Sequence, residues 1–471
     1  VTDVVGIEIG EISKFIGRYS LGRDNGFDSL HFLRIKIPAG QINSEKLRKI
    51  ADLSRKYGRG YVEITDRQDI QLHWIKSEDA LDLFERLYEI GYYTDMCGQG
   101  FSKACFGDVR NITACPLSGK INDFDVARYA KHLTSYFTGN KEFLDLPRKF
   151  KIGFTGCGGD CLRLAVNDLG MFGISREGER GFVPFVGGSV GASQPEPMLA
   201  KSLGIFVPEK KVFEFVKAVV EIHRDHSSRE SKAKARFKNL VTRWGIEKLR
   251  KEIEEKTGVF DRIDFNRPVY SNHNSYGLQT DGLYYYTLPV VGGTLSSEKI
   301  EFIADMAEKH GSGQLRLTAD QNITFVDIAD VDRLKRDLER QFEIREGRIY
   351  FSSIACTSKF CGKTRSPHAK ELLKKLIEIC ERKGMKNLRI HVSGCRNSCA
   401  CHQVADIGLV GKAIKVDGEV VQAYDIYVGG NFAKLKMGRV YMENLHGERL
   451  FSEFERLLEV IGNGVKAEAE G

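Results

Sequence analysis

FDSLHFLRIKIPAGQINSEKLRKIADLSRKYGRGYVEITDRQDIQLHWI, residues 27–75, returns in altered form as TDGLYYYTLPVVGGTLSSEKIEFIADMAEKHGSGQLRLTADQNITFVDI at 280–328. Each copy reads as an alternating strand, a Pro/Gly turn, a Ser-Glu-Lys helix start, an amphipathic helix, a glycine and two further strands. The match continues outward. TACPLSGK (113–120) pairs with IACTSKFCGK (354–363), KFKIGFTGCGGDC (149–161) with KNLRIHVSGCRNSC (386–399), and FVPFVGGS (182–189) with YDIYVGGN (424–431). Segments that keep their order at offsets of about 238 to 253 residues are a duplication, and a duplicated chain predicts a pseudo-twofold molecule.

At 471 residues the chain exceeds one ordinary core. The reading gives four parts: a half-domain at 1–100, an α/β lobe at 101–270 ending in a basic helical linker, a second half-domain at 271–335 and a second lobe at 336–471. Apolar residues at 42% and charged residues at 29% describe a globular protein. No apolar run is long enough to span a bilayer, and VTDVVGIEIGEISKF lacks the basic-then-apolar order of a signal peptide. A cytoplasmic protein is the expectation. A net charge of +7 points away from nucleic acid and toward anionic ligands or an acidic protein partner.

The eleven cysteines are spaced too tightly for a disulfide framework and suit metal-binding thiolates in a reducing compartment. Cys356 and Cys361 with Cys395 and Cys399 make two short-spaced pairs, as a cubane iron–sulfur cluster needs. The first half repeats the Cys-x3-Cys turn at Cys157 and Cys161, and Cys115 answers Cys356, but nothing in PLSGK answers Cys361. Cys97 and Cys105 also lie in the first half. The plain reading of these first-half thiols is a packed vestige, with a second cluster as the alternative. Cys380, on an apolar helical position, reads as core, and Cys401 and His402 as structural.

Basic residues are asymmetric in the opposite sense. Arg34 and Lys36 read against Tyr285 and Thr287, Arg67 against Asp320, Arg110 against Phe351 and Lys149 against Asn387; Lys151 alone faces another base, Arg389. Cations that converge on a seam repel unless an anion sits there. The linker 227–258 is strongly basic, which fits either a solvated helix or a reach toward an anionic ligand at the seam.

With these halves, ligand pairs and basic motifs (LRIKIPAG, ITDRQDIQ, DVRNITACP, LPRKFKI, FVGGSVG, SGCRNSC, QVADIGLVG), the chain resembles the sirohaem and 4Fe–4S sulfite/nitrite reductase family, from about residue 20 to 455. The resemblance implies an α+β fold in which two ferredoxin-like half-domains pair and two α/β lobes bracket the cofactors. It also implies a 4Fe–4S cluster on Cys356, Cys361, Cys395 and Cys399, with Cys399 bridging to the sirohaem iron. Family members usually place five residues between the first two ligands, whereas CTSKFC has four.

By motif position, the resemblance places Lys36, Arg110, Lys149 and Lys151 at the oxyanion, with Arg34 a weaker match. Arg67, Gln71, Arg148, Gly187, Gly188, Lys238 and Asn397 fall at sirohaem contacts. The expected chemistry is six-electron reduction of a small oxyanion, with fixed cations drawing off charge and a lysine of lowered pKa delivering protons. ACTSKFCG, CRNSC with QVADIG, and DVRNITACPLSG resemble the nitrite-reducing branch, but nitrite reducers resemble KFN where this chain has KFK, and sulfite is close to a dianion near neutral pH. Sulfite is therefore favoured slightly over nitrite. No ferredoxin-type insert and no nucleotide-binding Gly loop is evident, so electrons come from a separate donor, ferredoxin by expectation. Two non-reductase readings compete: a zinc-stapled structural protein using the same four cysteines, and a sirohaem carrier or sensor that has lost catalysis. Zinc explains neither duplication nor basic wall. Loss of catalysis would have removed Lys36, Arg110, Lys149 or Lys151.

Overall fold

The computed structural model describes residues 15–22, 28–96, 98–99, 107–191, 196–266, 273–361, 368–431 and 436–469. Cys97 and Cys105 lie outside the described residues. The duplicated stretch forms as read. In the first copy, the strand His31–Lys36 is followed by a short strand Gln41–Asn43, a helix Ser44–Tyr57 and strands Tyr61–Ile64 and Ile70–Ile75. The second copy repeats this with Tyr284–Leu288, Thr294–Ser296, Ser297–His310, Gln314–Leu317 and Ile323–Ile328. The helix starts are set locally. Asn43 Oδ1 accepts from the Lys46 N–H at 2.9 Å and Ser296 Oγ from the Lys299 N–H at 3.4 Å, each with a glutamate in the first turn.

The two copies do more than touch. Each short strand before the helix joins the other copy's sheet: Gln41–Asn43 pairs with Gln314–Leu317, and Thr294–Ser296 pairs with Tyr61–Ile64. The two helices pack together, with Ser54 and Ser297 hydroxyls 2.7 Å apart and Arg48 bridging Asp305 and Glu308. One apolar core runs through both copies, from Leu33, Leu47 and Ile50 to Ile300, Ile303 and Phe325. Strand exchange closes two sheet edges that would otherwise be open. It also places the boundary between half-domains inside a shared core.

The strand register corrects one pairing. Arg34 opposes Gln71 in its sheet, and Thr287 opposes Thr324 in the other, so Arg34 is the counterpart of Thr287 and Lys36 that of Pro289. The 253-residue offset of the two quoted stretches gives the same pairing, so the partners Tyr285 and Thr287 stand two residues off that alignment. A shift of two preserves strand alternation.

Each lobe is a sheet whose first three strands are parallel. In the first they are Thr113–Ala114, Ile152–Thr155 and Leu169–Arg176; in the second, Ile354–Ala355, Ile390–Ser393 and Ile407–Val416. Antiparallel strands Glu179–Val186 and Glu419–Val428 then extend the sheets. Parallel pairing puts the C-terminal ends of adjacent strands side by side, so the loops beginning at Cys356 and Cys395 emerge together, as do those at Cys115 and Cys157. The basic linker becomes the helix Phe237–Thr257, broken at Gly245, with Phe237, Lys238, Leu240, Leu249 and Ile253 turned inward. It is half solvated helix and half inward reach. No helix among the described residues is long and apolar enough to cross a membrane.

Candidate active site and cluster pocket

Cys356, Cys361, Cys395, Cys399 and Asn397 line one pocket with Arg34, Ile64, Thr65, Asp66 and Gln321. Its walls thus come from the second lobe and both half-domains. The Gly394 N–H points at Cys356 Sγ from 3.1 Å, a donor that stabilises a thiolate. Burial, with the charges of the other three cysteines, raises the Cys356 pKa, as expected where thiols crowd together. The short Cys-x4-Cys loop closes because Ser358–Cys361 winds into a 3-10 turn, with Ser358 in the left-handed region at φ 61°. Cys361 therefore joins the other three despite the missing residue. Cys399 is the exposed member of the set.

The loop carrying Cys356 is braced by a buried polar network. Glu63, 1% exposed, pairs with Lys370 at 3.2 Å and His73 at 3.0 Å and accepts from the Thr357 hydroxyl. Burial alone would raise the Glu63 pKa, but Lys370 and His73 hold it far below the usual carboxylate range. Gln71 accepts from Arg34 Nε at 3.0 Å and donates to Thr357 Oγ1 at 3.1 Å, so this expected cofactor contact joins the basic strand to the cluster loop.

Two glutamines related by the pseudo-twofold do the same for both lobes. Gln68 donates to Ala114 O and Leu317 O (2.9 and 2.8 Å) and accepts from Ala114 N. Gln321 donates to Ala355 O and Ile64 O (3.0 and 3.2 Å) and accepts from Ala355 N. Each clamps the residue before Cys115 or Cys356 to the opposite half-domain. The signal is present in the repeat, where TDRQD and TADQN share this glutamine.

The basic wall forms, but it is partly neutralised from behind. Lys36 Nζ donates to Val109 O at 3.0 Å and lies 3.6 Å from Asp108 and 3.9 Å from Asp95. Arg110 pairs with Asp108 at 3.1 Å and Asp95 at 3.5 Å, and Arg34 with Asp95 at 3.7 Å. The expectation that only a bound anion relieves these cations is therefore corrected: buried Asp95 and Asp108 do part of that work. Lys149 and Lys151 differ, because neither forms an ion pair among the described residues. Burial brings the Lys149 pKa down to about 7; a charge on Cys399 opposes this, while Lys151, Arg236 and Arg110 add to the fall. The lowered pKa agrees with the expectation, but loss of hydration outweighs cation crowding as its cause. Arg236, held by Asp168 at 3.1 Å, is a cation of this group that motif reading passes over.

Several expected cofactor contacts are engaged with protein. Arg67 is buried and gives its Nη atoms to Asn167 Oδ1, Asn111 O and Ile152 O, tying its turn to the first lobe. Lys238 Nζ caps the carbonyls of Ser189, Gly191 and Glu196. A Cβ on Gly188 would fall 2.2 Å from Ala165 O, and one on its counterpart Gly430 2.4 Å from Ala405 O. Both glycines are needed by chain packing whatever binds nearby. Gly187 takes the left-handed conformation, φ 83°. The carbonyl of Arg148 accepts from His223 Nε2 at 2.9 Å. Cys380, Cys401 and His402 are buried, in keeping with structural roles. Cys115, Cys157 and Cys161 do not simply pack away: they converge with His273.

Two family profiles match the chain: the nitrite and sulphite reductase 4Fe-4S domain over residues 105–259, and the nitrite/sulfite reductase ferredoxin-like half domain over 24–90 and 277–341. The chain is 33% identical to the assimilatory ferredoxin-dependent nitrite reductase of Haloferax mediterranei, over 86% of this chain and 74% of that protein. It is 28% identical to a sulfite reductase [ferredoxin] of Mycobacterium tuberculosis, over 95% and 82%. The solved structure of the Mycobacterium tuberculosis NirA protein superposes with a TM-score of 0.82 at 25% identity, covering 96% of this chain and 87% of that one. The chain belongs to the nitrite and sulfite reductase family. It is an oxidoreductase of the sirohaem and 4Fe–4S type, acting on a small oxyanion. Relatives bearing both substrate names occur, so likeness does not favour sulfite over nitrite. The residues present fit the cofactors: four thiols line one pocket, and its exposed member, Cys399, lies within electrostatic reach of Lys149.

Proposed function

We propose that this protein reduces sulfite to sulfide by six electrons, taking them from a ferredoxin. The observation that carries the choice of substrate is the state of Lys149 and Lys151, two cations without ion-pair partners among the described residues. Asp95 and Asp108 already offset Lys36, Arg34 and Arg110, so the charge left for a ligand is concentrated on these two lysines. A dianion matches two such ammonium groups better than a monoanion does. Cys356, Cys361, Cys395 and Cys399 would hold the cluster, and the cluster and sirohaem, when bound, would supply the electrons for the reduction.

In this reading the protein's own groups bind, orient and protonate. Lys151 and the ammonium form of Lys149 hold the oxyanion charge, with Arg110, offset by Asp95 and Asp108, beside them. Lys149, whose pKa lies near 7, gives up a proton at Nζ at neutral pH more readily than an ordinary lysine. Lys36 sets the wall on which Arg110 rests, through their shared carboxylates. Gly187, Arg148 and Asn397 would border the macrocycle, while Arg67, Gln71, Lys238 and Gly188 hold the surrounding turns. Nitrite to ammonia is the second reading, supported by the relatives named as nitrite reductases at 30 and 33% identity. The discriminating experiment is steady-state kinetics with reduced viologen on both anions, for wild type and Lys151→Asn. The proposal expects the wild type to prefer sulfite in kcat/KM. It expects the variant to lose at least tenfold on sulfite and far less on nitrite. A wild type preferring nitrite with equal losses on both would overturn it.

A further inference from the structure

We propose that Cys115, Cys157, Cys161 and His273 form a closed structural zinc site in the first half, distinct from the cluster. The ligand atoms of these four residues all lie within 4.8 Å of one another. Cys157 Sγ and Cys161 Sγ are 3.8 Å apart, and Cys115 Sγ is 3.2 Å from His273 Nε2. A zinc ion with bonds of about 2.3 Å to sulfur and about 2.0 Å to nitrogen has tetrahedral edges of about 3.8 Å and about 3.5 Å. The Cys157–Cys161 and Cys115–His273 separations are close to those edges, and no pair in the set exceeds 4.8 Å, within small side-chain adjustment of one ion. A cubane keeps four irons and four sulfides inside its ligands and needs a wider cage.

The duplication explains where the ligands come from. Cys115, Cys157 and Cys161 are the counterparts of Cys356, Cys395 and Cys399, and Cys115 N donates to Phe154 O just as Cys356 N donates to Val392 O. The fourth position differs. PLSGK offers no cysteine to match Cys361, and an imidazole arrives from a different direction, on the stretch leading into the strand Tyr276–Leu278. Three thiolates and one imidazole make a full tetrahedral set that suits zinc and leaves no open position for substrate. Cys115 and Cys161 are buried and Cys157 and His273 half-buried, so the ion would sit beneath the surface and tie the first lobe to the entry of the second half-domain. Zinc carries no electrons. The molecule would then keep redox chemistry in one half and use the sister thiols as a staple.

Elemental analysis of the purified holoprotein tests this. One zinc per chain is expected, in addition to the iron and sulfide of the cluster and macrocycle. The double substitution Cys157→Ser with His273→Ala should remove the zinc and leave the visible spectrum of both cofactors in place. His273→Cys, which restores a four-ligand set, should retain it. Less than a tenth of a zinc per chain in the wild type, a second set of four irons with sulfide, or zinc undiminished in the double variant would each overturn the proposal. Should a variant fold poorly, anomalous scattering at the zinc edge from wild-type crystals decides the matter: a peak at these four residues supports the site, and its absence there overturns it.

Discussion

Removing the charge of Glu63 without changing its shape should loosen the cluster loop, although Glu63 is not one of the cysteine ligands. Glu63→Gln leaves Lys370 buried with its ammonium unmatched. At 3.2 Å the pair is worth about 5 kcal/mol of Coulomb energy at an effective dielectric near 20, and losing one partner of a buried pair costs about 3–5 kcal/mol. Thr357 hydrogen-bonds to Glu63 and follows Cys356 directly, so the cost falls on opening of this loop. A loss of about 3 kcal/mol raises an open population roughly a hundredfold, and iron release to a chelator follows that population when reclosing is fast. The assay is the decay of cluster absorbance under excess ferrous chelator. Glu63→Gln and Lys370→Met should each accelerate it by about two orders of magnitude. The double variant should be slower than either, because no lone charge is left behind. The acceleration should be flat from pH 6 to 8. A depressed carboxylate contributes in full above its unfolded pKa of about 4.3 and loses its contribution only as pH falls through the lower folded value. A less than threefold effect of Glu63→Gln, or a double variant as fast as the faster single, would refute the reasoning.

Burial lowers the His223 pKa to about 4, against about 6.5 unfolded, so the unfolded chain binds the extra proton between those values and stability falls with pH there. The penalty is about 1 kcal/mol by pH 5.5 and on the order of 3 kcal/mol by pH 4, and His223→Gln should flatten this part of the melting-temperature profile; an unchanged profile would contradict it. Lys149→Met should leave both cofactors bound, judged by their absorbance, and lower kcat at neutral pH by at least about a hundredfold, the scale of general acid loss; near-normal turnover would remove Lys149 from the chemistry. Gly188→Ala forces a methyl against Ala165 O, so a cost of about 1–3 kcal/mol in denaturant stability is expected, with Gly462→Ala, helical and open around its Cα, as the control that should cost nothing. Gln321→Leu should destabilise the protein about as much as Gln68→Leu, yet only the former should speed cluster loss, since Ala355 precedes Cys356; equal cluster loss in both would sink the paired-clamp reading.

The fold was legible because the duplication is a pattern of order and period, which needs no contacts to be read. The helix starts at Ser-Glu-Lys, the glycine ends and the paired Cys-x3-Cys turns all formed where the residues placed them. Strand exchange was not legible. Gln41–Asn43 and Thr294–Ser296 are too short and too polar to announce a partner, and which sheet they join is settled by packing of the helices that follow. At the site, sequence comparison found the cysteines and the cations, which differ between halves. It passed over Gln68 and Gln321, which are the same in both. It also missed Asp95, which meets the basic wall only in space, and Asp108, which opens the DVRN motif but whose approach to Lys36 across strands is set by the fold.

The asymmetry of the halves follows from how the lobes meet. In each lobe the second parallel strand starts at a basic or polar segment and ends at a Cys-x3-Cys turn: Lys149 to Cys157 in one, Asn387 to Cys395 in the other. At the junction, the first lobe's loop touches the second lobe's turn, with Gly191 against Asn397 and Gln403 donating to Val190 O at 2.9 Å. The start of the strand in the first lobe therefore faces the thiol end in the second, and Lys149 feels the charge of Cys399. A single anionic site at this junction needs cations from one half and thiols from the other. The same residues in the opposite positions would face the second junction, where Asp320 binds Arg163 and no such site is needed. Selection on one junction leaves the other free to lose Cys361's equivalent and its lysines. That is the pattern the chain shows, and it requires only that the two junctions be related by the same twofold that exchanges the strands.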